Sequence, residues 1–156
     1  MASYEQVPRV AMQLSRDVLV AFIQVDLDEA VLTRFRQDLL DRVHASAPRA
    51  VVLEISGVET MDTAEFAALR RVISTVAIMG TQSILVGMQP GVVSALVEMN
   101  ADVDGLVTAI DIDAAFTMLD EQTARVDEDD AETDESGDDD DTAEPAGNGK
   151  DPDDPA

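Results

Sequence analysis

The stretch "AVVLEISGVETMDTAEFAALRRVISTVAIMGTQSILVG", residues 50–87, decides the fold. It begins and ends with short apolar runs, "AVVLEI" and "SILVG", which predict two buried strands. Between them, apolar residues recur at helical spacing: Phe66, Leu69, Ile73, Val76 and Ala77. This stripe predicts a helix that ends near Gly80. A strand, a helix and a second strand in this order indicate a right-handed crossover between parallel strands.

The residues before this stretch add a hairpin and a helix. "RVAMQL", residues 9–14, alternates apolar and polar side chains, whereas "VLVAFIQV", residues 18–25, is almost wholly apolar. The first pattern is typical of a half-buried strand and the second of a strand covered on both faces. A set of apolar residues then follows helical spacing: Leu32, Phe35, Leu39 and Val43. We expect Asp26 or Asp28 to cap this helix and Pro48 to end it.

The residues after it complete an α/β fold. "QPGVVSALVEM" opens a third helix, with Pro90 in the first turn, where a missing N–H costs nothing. "LVTAI" predicts a short strand, and "DIDAAFTMLDEQ" predicts a final helix that Asp111 or Asp113 caps. The order β-β-α-β-α-β-α-β-α predicts a mixed, mostly parallel sheet of four to five strands, with an N-terminal hairpin and about four helices.

Charge divides the chain of 156 residues into two parts. Its net charge is −23, and from Glu121 to the end 16 Asp and Glu residues stand against only Arg125 and Lys150. No large apolar residue follows Val126. Low hydrophobicity and high charge leave little burial to offset the entropy of ordering. We therefore predict one domain over residues 1–122 and a disordered acidic tail over 123–156, which either aids solubility or competes for a basic surface.

The same composition excludes several classes of protein. So negative a chain would be repelled by nucleic-acid phosphates and by anionic membrane surfaces. The sequence has neither the roughly 20 apolar residues of a membrane span nor a signal peptide pattern, and it has no cysteine. We expect a cytoplasmic protein with no nucleic-acid or membrane partner.

Nothing in the sequence points to catalysis. His44, the one histidine, falls near the end of the first predicted helix, and no candidate nucleophile lies beside it in the sequence. Asp-x-Asp pairs occur at 26/28, 102/104 and 111/113, where aspartate is expected for local hydrogen bonds at turns and helix starts. Glycine-lysine phosphate loops and calcium loops are both absent. We expect no enzyme activity, no cofactor and no metal.

The dipeptide Asp62-Thr63 begins the second predicted helix and allows two interpretations. Glu65 follows Asp62 by three residues, which is the spacing of a capping box. Taken alone, this spacing favours a plain helix cap. The second interpretation is that the hydroxyl of Thr63 is presented for modification.

The surrounding sequence resembles the STAS domain, the fold of anti-sigma factor antagonists. The resemblance runs from about Val7 to Leu119 and rests on "VVLEISGVETMDTAEFAALRRVI" and "AIMGTQSILVGMQPGVVSALVEM". "AFIQVDLDEAVLTRFRQDLL" and "LVEM" are most similar to the small single-domain subunits of the stressosome. The resemblance implies that Thr63 is the phosphoacceptor of a serine/threonine switch kinase, with Asp62 and Glu65 supporting the acceptor site.

Two positions depart from that family's pattern. The small subunits usually present serine where this chain has Thr63. A second acceptor threonine of the family aligns with Ala95. Ser94, one residue earlier, is the remaining candidate for a second phosphosite, but it would point about 100° away on the helix.

The resemblance implies a non-enzymatic scaffold that holds the kinase and releases it on phosphorylation of Thr63. The implied partners are that kinase, larger STAS paralogues with sensory N-terminal domains, and a phosphatase, within a homo- or hetero-oligomer that regulates a stress response. One alternative is a free antagonist that binds an anti-sigma factor directly. Another is a small enzyme or nucleotide- or ligand-binding module on the same fold.

Overall fold

The computed structural model describes residues 7–134. The strands are β1 (Ala11–Ser15), β2 (Val18–Phe22), β3 (Ala50–Glu54), β4 (Gln82–Val86) and β5 (Thr108–Ala109). The helices are α1 (Glu29–Ser46), α2 (Thr63–Ile78), α3 (Pro90–Glu98) and α4 (Ile112–Asp134). The predicted order of elements is confirmed. The fifth strand has only two residues, because β5 pairs with β4 solely at Leu85 and Val86.

The five strands form one sheet in the order β1-β2-β3-β4-β5. β1 and β2 pair antiparallel, as predicted for the hairpin, and the other neighbours pair in parallel. All five residues of β3 are buried. Central strands covered on both faces explain why these segments are continuous apolar runs and do not alternate.

The sheet separates two apolar clusters, because successive side chains of a strand point to opposite faces. On one face, side chains of α1, α2 and α3 pack against alternate strand residues, which include Leu19, Val51 and Leu85. On the other face, Ala115, Phe116 and Leu119 of α4 pack on Val18, Val20, Ala50, Val52, Ile84 and Val86. The helices therefore cover both faces of the sheet.

Aspartates set the starts of the helices by local hydrogen bonds. Of the two aspartates predicted for α1, Asp28 forms the cap, since its carboxylate accepts from the backbone N–H of Val31 at 2.9 Å. For α4 it is Asp111, which accepts from the N–H of Ala114 at 2.8 Å. A free carboxylate oxygen at this position satisfies one of the N–H groups that a helix start leaves unpaired.

The last helix differs from the prediction. We predicted disorder from residue 123, but α4 continues through Asp134. The lack of large apolar residues argues against packing but does not prevent a local helix, since alanine, arginine and glutamate are good helix formers. Contacts among the described residues divide the chain between Glu121 and Gln122. The predicted disorder of residues 135–156 lies outside the described residues.

Removing residues 127–156 is expected to leave the thermal unfolding midpoint within about 4 °C of the parent, the shift that roughly 1 kcal/mol produces in a domain of this size. Val126, the last large apolar residue before the cut, is itself 58% exposed, so the truncation removes little burial. Thermal melts followed by circular dichroism measure the effect. A drop of more than about 10 °C would contradict the predicted domain boundary, which stays a prediction until then.

Candidate functional site

The capping box at the start of α2 is present as predicted. The carboxylate of Asp62 accepts from the backbone N–H of Glu65 at 2.8 Å, and the carboxylate of Glu65 accepts from the N–H of Asp62 at 2.8 Å. Two N–H groups are thus satisfied by two side chains. Thr63 is the first residue of the helix.

The hydroxyl of Thr63 is therefore not needed to cap α2. The residue is exposed, and its Oγ1 donates a hydrogen bond to the sulfur of Met99 at 3.5 Å. A thioether is a weak acceptor. The arrangement leaves an accessible, weakly held hydroxyl at a helix start, beside the end of α3.

Polar contacts fix the beginning of the loop that leads to Thr63. Glu54, at the end of β3, is only 9% exposed and accepts from the N–H of Ser56 at 2.9 Å. From the start of α3, the side-chain amide of Gln89 donates to the carbonyl of Ser56 at 2.9 Å. The buried side chains of Val58 and Met61 anchor the rest of the loop in the core. The loop is held at both of its ends.

Two glycines let neighbouring segments approach this loop closely. A Cβ added at Gly57 would lie 2.8 Å from the Cα of Gln24, in the connection between β2 and α1. A Cβ added at Gly91 would lie 2.3 Å from the carbonyl oxygen of Glu59. Because no side chain fits at either position, the loop is pressed between the β2–α1 connection and α3. At the start of α3 the sequence pattern drew attention to Pro90 and not to Gly91. Its position one residue after Pro90, inside a helix, was the signal that could have identified it.

Ser94 does not share the helix face that meets Thr63. Met99 and Ala95 lie four residues apart, and the N–H of Met99 donates to the carbonyl of Ala95 at 3.0 Å. They therefore lie on the same side of α3. Ser94 is exposed, one residue and about 100° away from Ala95. On the face of α3 beside Thr63, the position of the family's second acceptor is therefore occupied by Ala95.

Charges of both signs lie near the start of α2, where Arg36 and Arg71 line the same groove as Asp62 and Glu65. Asp62 and Glu65 place two carboxylates in its first turn. Arg70, two turns further along, donates to the backbone carbonyls of Asp102 and Asp104 and lies 3.6 Å from the carboxylate of Asp102. Its guanidinium ties α2 to the loop between α3 and β5.

The histidine and the aspartate pair of the α3–β5 loop have local positions. His44 is exposed in the last turn of α1. Asp102 accepts from the N–H of Asp104 at 3.0 Å within the α3–β5 loop, as expected for an aspartate pair in a turn.

Between residues 7 and 134, no group of three or more His, Asp or Glu side chains is placed to hold a metal ion. Over the same residues, none of the helices combines the length and the apolar character that crossing a membrane requires.

The comparison with protein families identifies the fold. Residues 9–109 match the model of the STAS domain. The chain belongs to the STAS domain family, as its sequence predicted. No curated protein matches the sequence significantly.

Solved structures are also similar in fold to this chain. A serine-to-glutamate variant of RsbS from Moorella thermoacetica has a TM-score of 0.64 and 25% identity, over 74% of this chain and 97% of that one. A chain from the molecular architecture of the stressosome, a signal integration and transduction hub, has a TM-score of 0.64 and 24% identity, over 72% and 98%. A candidate anti-sigma factor antagonist from Thermotoga maritima has a TM-score of 0.59 and 17% identity, over 70% and 92%. This chain is thus similar to a stressosome subunit along almost the whole length of that subunit.

Proposed function

We propose that this chain is a phosphorylatable STAS scaffold of a stressosome-like assembly, without catalytic activity of its own. It holds a serine/threonine switch kinase and releases it when Thr63 is phosphorylated. The observation that carries the proposal is the exposed hydroxyl of Thr63 at a helix start that Asp62 and Glu65 already cap. The fold does not need that hydroxyl, so it is available for chemistry.

The transfer itself requires only that the kinase reach Thr63. The Oγ1 atom attacks the γ-phosphorus of ATP, its proton passes to the kinase, and ADP leaves. The product carries about −1.5 to −2 charges at neutral pH. Those charges join the carboxylates of Asp62 and Glu65 in the same helix turn.

The added charge is large enough to weaken the binding of a partner that covers Thr63. A partner that covers the neutral hydroxyl of Thr63 would have to desolvate the phosphate, at a cost of several kcal/mol unless it provides compensating contacts. About 1.4 kcal/mol changes an affinity tenfold. Neutral Thr63 therefore holds the kinase, and phosphorylated Thr63 frees it to act on a downstream partner.

The assembly and the remaining partners are inferred from the structural relatives. The likeness to RsbS and to a stressosome chain supports an oligomer with other STAS proteins. The family resemblance of the sequence implies that these are larger paralogues and that a phosphatase resets Thr63. Such partners would place the protein in the cytoplasm. Size-exclusion chromatography with a co-expressed paralogue should give a megadalton-scale particle. A small species would instead indicate a free antagonist of an anti-sigma factor.

Incubation with the cognate kinase and ATP should place one phosphate on Thr63. Thr63→Ala should abolish the labelling and keep kinase binding, because alanine removes the acceptor without adding charge. Thr63→Glu should weaken kinase binding at least about tenfold, the effect of roughly 1.4 kcal/mol. Mass spectrometry locates the phosphate, and isothermal titration calorimetry measures the affinity.

Two further variants serve as controls for this experiment. Ser94→Ala should leave labelling unchanged. Asp62→Ala measures the loss of the cap alone, which costs about 1 kcal/mol of stability. If Thr63→Ala is phosphorylated as well as the parent, the assignment of Thr63 is wrong.

A further inference from the structure

We propose that Met99 is a positioning residue for Thr63: its sulfur holds the hydroxyl against α3, and phosphorylation necessarily breaks this contact. The inference rests on the proposed function of Thr63 and adds a second residue to the switch. Its starting point is the 3.5 Å hydrogen bond from Thr63 Oγ1 to Met99 Sδ, which joins residues 36 positions apart in the sequence.

Met99 is well supported for such a role. It directly follows the last residue of α3, and its backbone N–H donates to the carbonyl of Ala95 at 3.0 Å. Its side chain is partly buried and packs against the main apolar cluster. The backbone of Met99 is thus fixed by the helix, while a long unbranched side chain reaches across to α2.

The contact selects one orientation of the Thr63 side chain. Threonine has two heavy atoms on Cβ, so its χ1 angle takes few values, and each value points the hydroxyl in a different direction. Since Asp62 already accepts from the helix N–H groups, Met99 is the partner that the described residues give the hydroxyl. A hydrogen bond at the low end of the usual net range, as expected for a weak acceptor, biases the rotamer populations roughly twofold.

Phosphorylation removes the chemical basis of the contact. The Oγ1 atom of phosphothreonine carries no hydrogen, and a thioether has no hydrogen to donate. Neither partner can then donate, and the phosphate would face the carboxylates of Asp62 and Glu65 on one side and a weakly polar sulfur on the other. The phosphate therefore turns toward water, and the end of α3 loses its contact with α2.

The consequence reaches a surface that a partner can sense. α3 carries Val93 and Val97 on its outer side, exposed by 45% and 74%. Each is two residues from Ala95, so both point away from the face of α3 that meets Thr63. The loss of the Thr63–Met99 contact therefore reaches these valines through a shift of α3 as a whole, whereas the new charge acts directly at the acceptor.

The first test measures the χ1 angle of Thr63 without any kinase. Three-bond NMR couplings to the threonine methyl carbon report the rotamer populations in the parent and in Met99→Leu, which keeps the apolar volume but has no acceptor. The parent should favour one rotamer, and Met99→Leu should shift the populations about twofold toward the others. Met79→Leu, at another partly exposed methionine, is the matched control and should change nothing. Equal couplings in the parent and Met99→Leu would overturn the proposal.

The second test measures access to the sulfur itself. Hydrogen peroxide transfers one oxygen atom to Met99 Sδ, which gives the sulfoxide and water, and mass spectrometry follows the rate against Met79 as internal reference. Thr63→Glu removes the donor and adds a charge, so Met99 should oxidise severalfold faster than in the parent. Equal relative rates would contradict the proposal. Neither test uses the kinase. A failure to label Thr63 would therefore refute the proposed function, whereas the two tests above decide separately whether Met99 positions the hydroxyl.

Discussion

Gly91→Ala is expected to destabilise the protein by about 1–3 kcal/mol, although alanine is the better helix former by up to about 1 kcal/mol. The reason is the contact that the new Cβ would make. It would lie 2.3 Å from the carbonyl oxygen of Glu59, closer than real side chains approach, and the atom it meets belongs to the backbone. Either α3 or the loop before Thr63 has to move. Chemical denaturation measures the free energy of unfolding of both proteins. The sign of the difference shows whether helix propensity or the backbone clash has the larger effect.

The same substitution should disturb the acceptor site. A displaced Glu59 moves the loop that ends at Asp62, so amide NMR signals of residues 56–63 should shift and Thr63 should be phosphorylated more slowly. Gly80→Ala is the control, because nothing lies within 4 Å of a Cβ there and only its φ of +87° is unfavourable. It should lower stability by roughly 1–2 kcal/mol and leave Thr63 unchanged. If Gly91→Ala stabilises the protein, α3 does not press on the loop as described.

Local patterns explain why the order of elements and the helix caps could be predicted. The capping box joins Asp62 and Glu65, three residues apart, so its geometry is a property of one helix turn. The buried strands were recognised because a strand covered on both faces has no polar positions. At the start of α1, the sequence left Asp26 and Asp28 as alternatives, since both precede the apolar stripe closely enough to cap it.

The contacts that distinguish the acceptor site depend on packing between distant segments. A glycine inside a helix, Gly91, indicates a close approach, but neither its partner Glu59 nor the hydrogen bond from Thr63 to Met99 has a local sequence signature. Both contacts arise where α3 crosses the start of α2, after the sheet has brought the two helices together. The helical residues 123–134 show the converse case, because local propensity there suffices for a helix without apolar packing.

Phe116→Ala is expected to cause the largest loss of stability, about 3–5 kcal/mol, with a fall in the thermal midpoint of roughly 10–20 °C. Phe116 is 6% exposed and belongs to the apolar cluster between α4 and the sheet. Among the described residues, α4 is the helix that supplies this cluster, so no neighbouring helix can move in to fill the cavity. The guanidinium carbon of Arg16 also lies 4.3 Å from the centroid of the Phe116 ring.

Two controls separate the terms that contribute to this loss. Arg16→Ala removes the cation over the ring and should cost only about 0.5–1 kcal/mol, since the contact is at the surface. Phe116→Leu keeps most of the apolar volume and should cost less than half of the alanine substitution. Denaturant midpoints of the three variants give the comparison, and a loss below about 1 kcal/mol for Phe116→Ala would contradict this description of the core. Truncation after Val126 is expected to cost almost no stability. Together, the truncation and the Phe116 substitution would assign the stabilising part of α4 to its first turns, where Ala115, Phe116 and Leu119 meet the sheet.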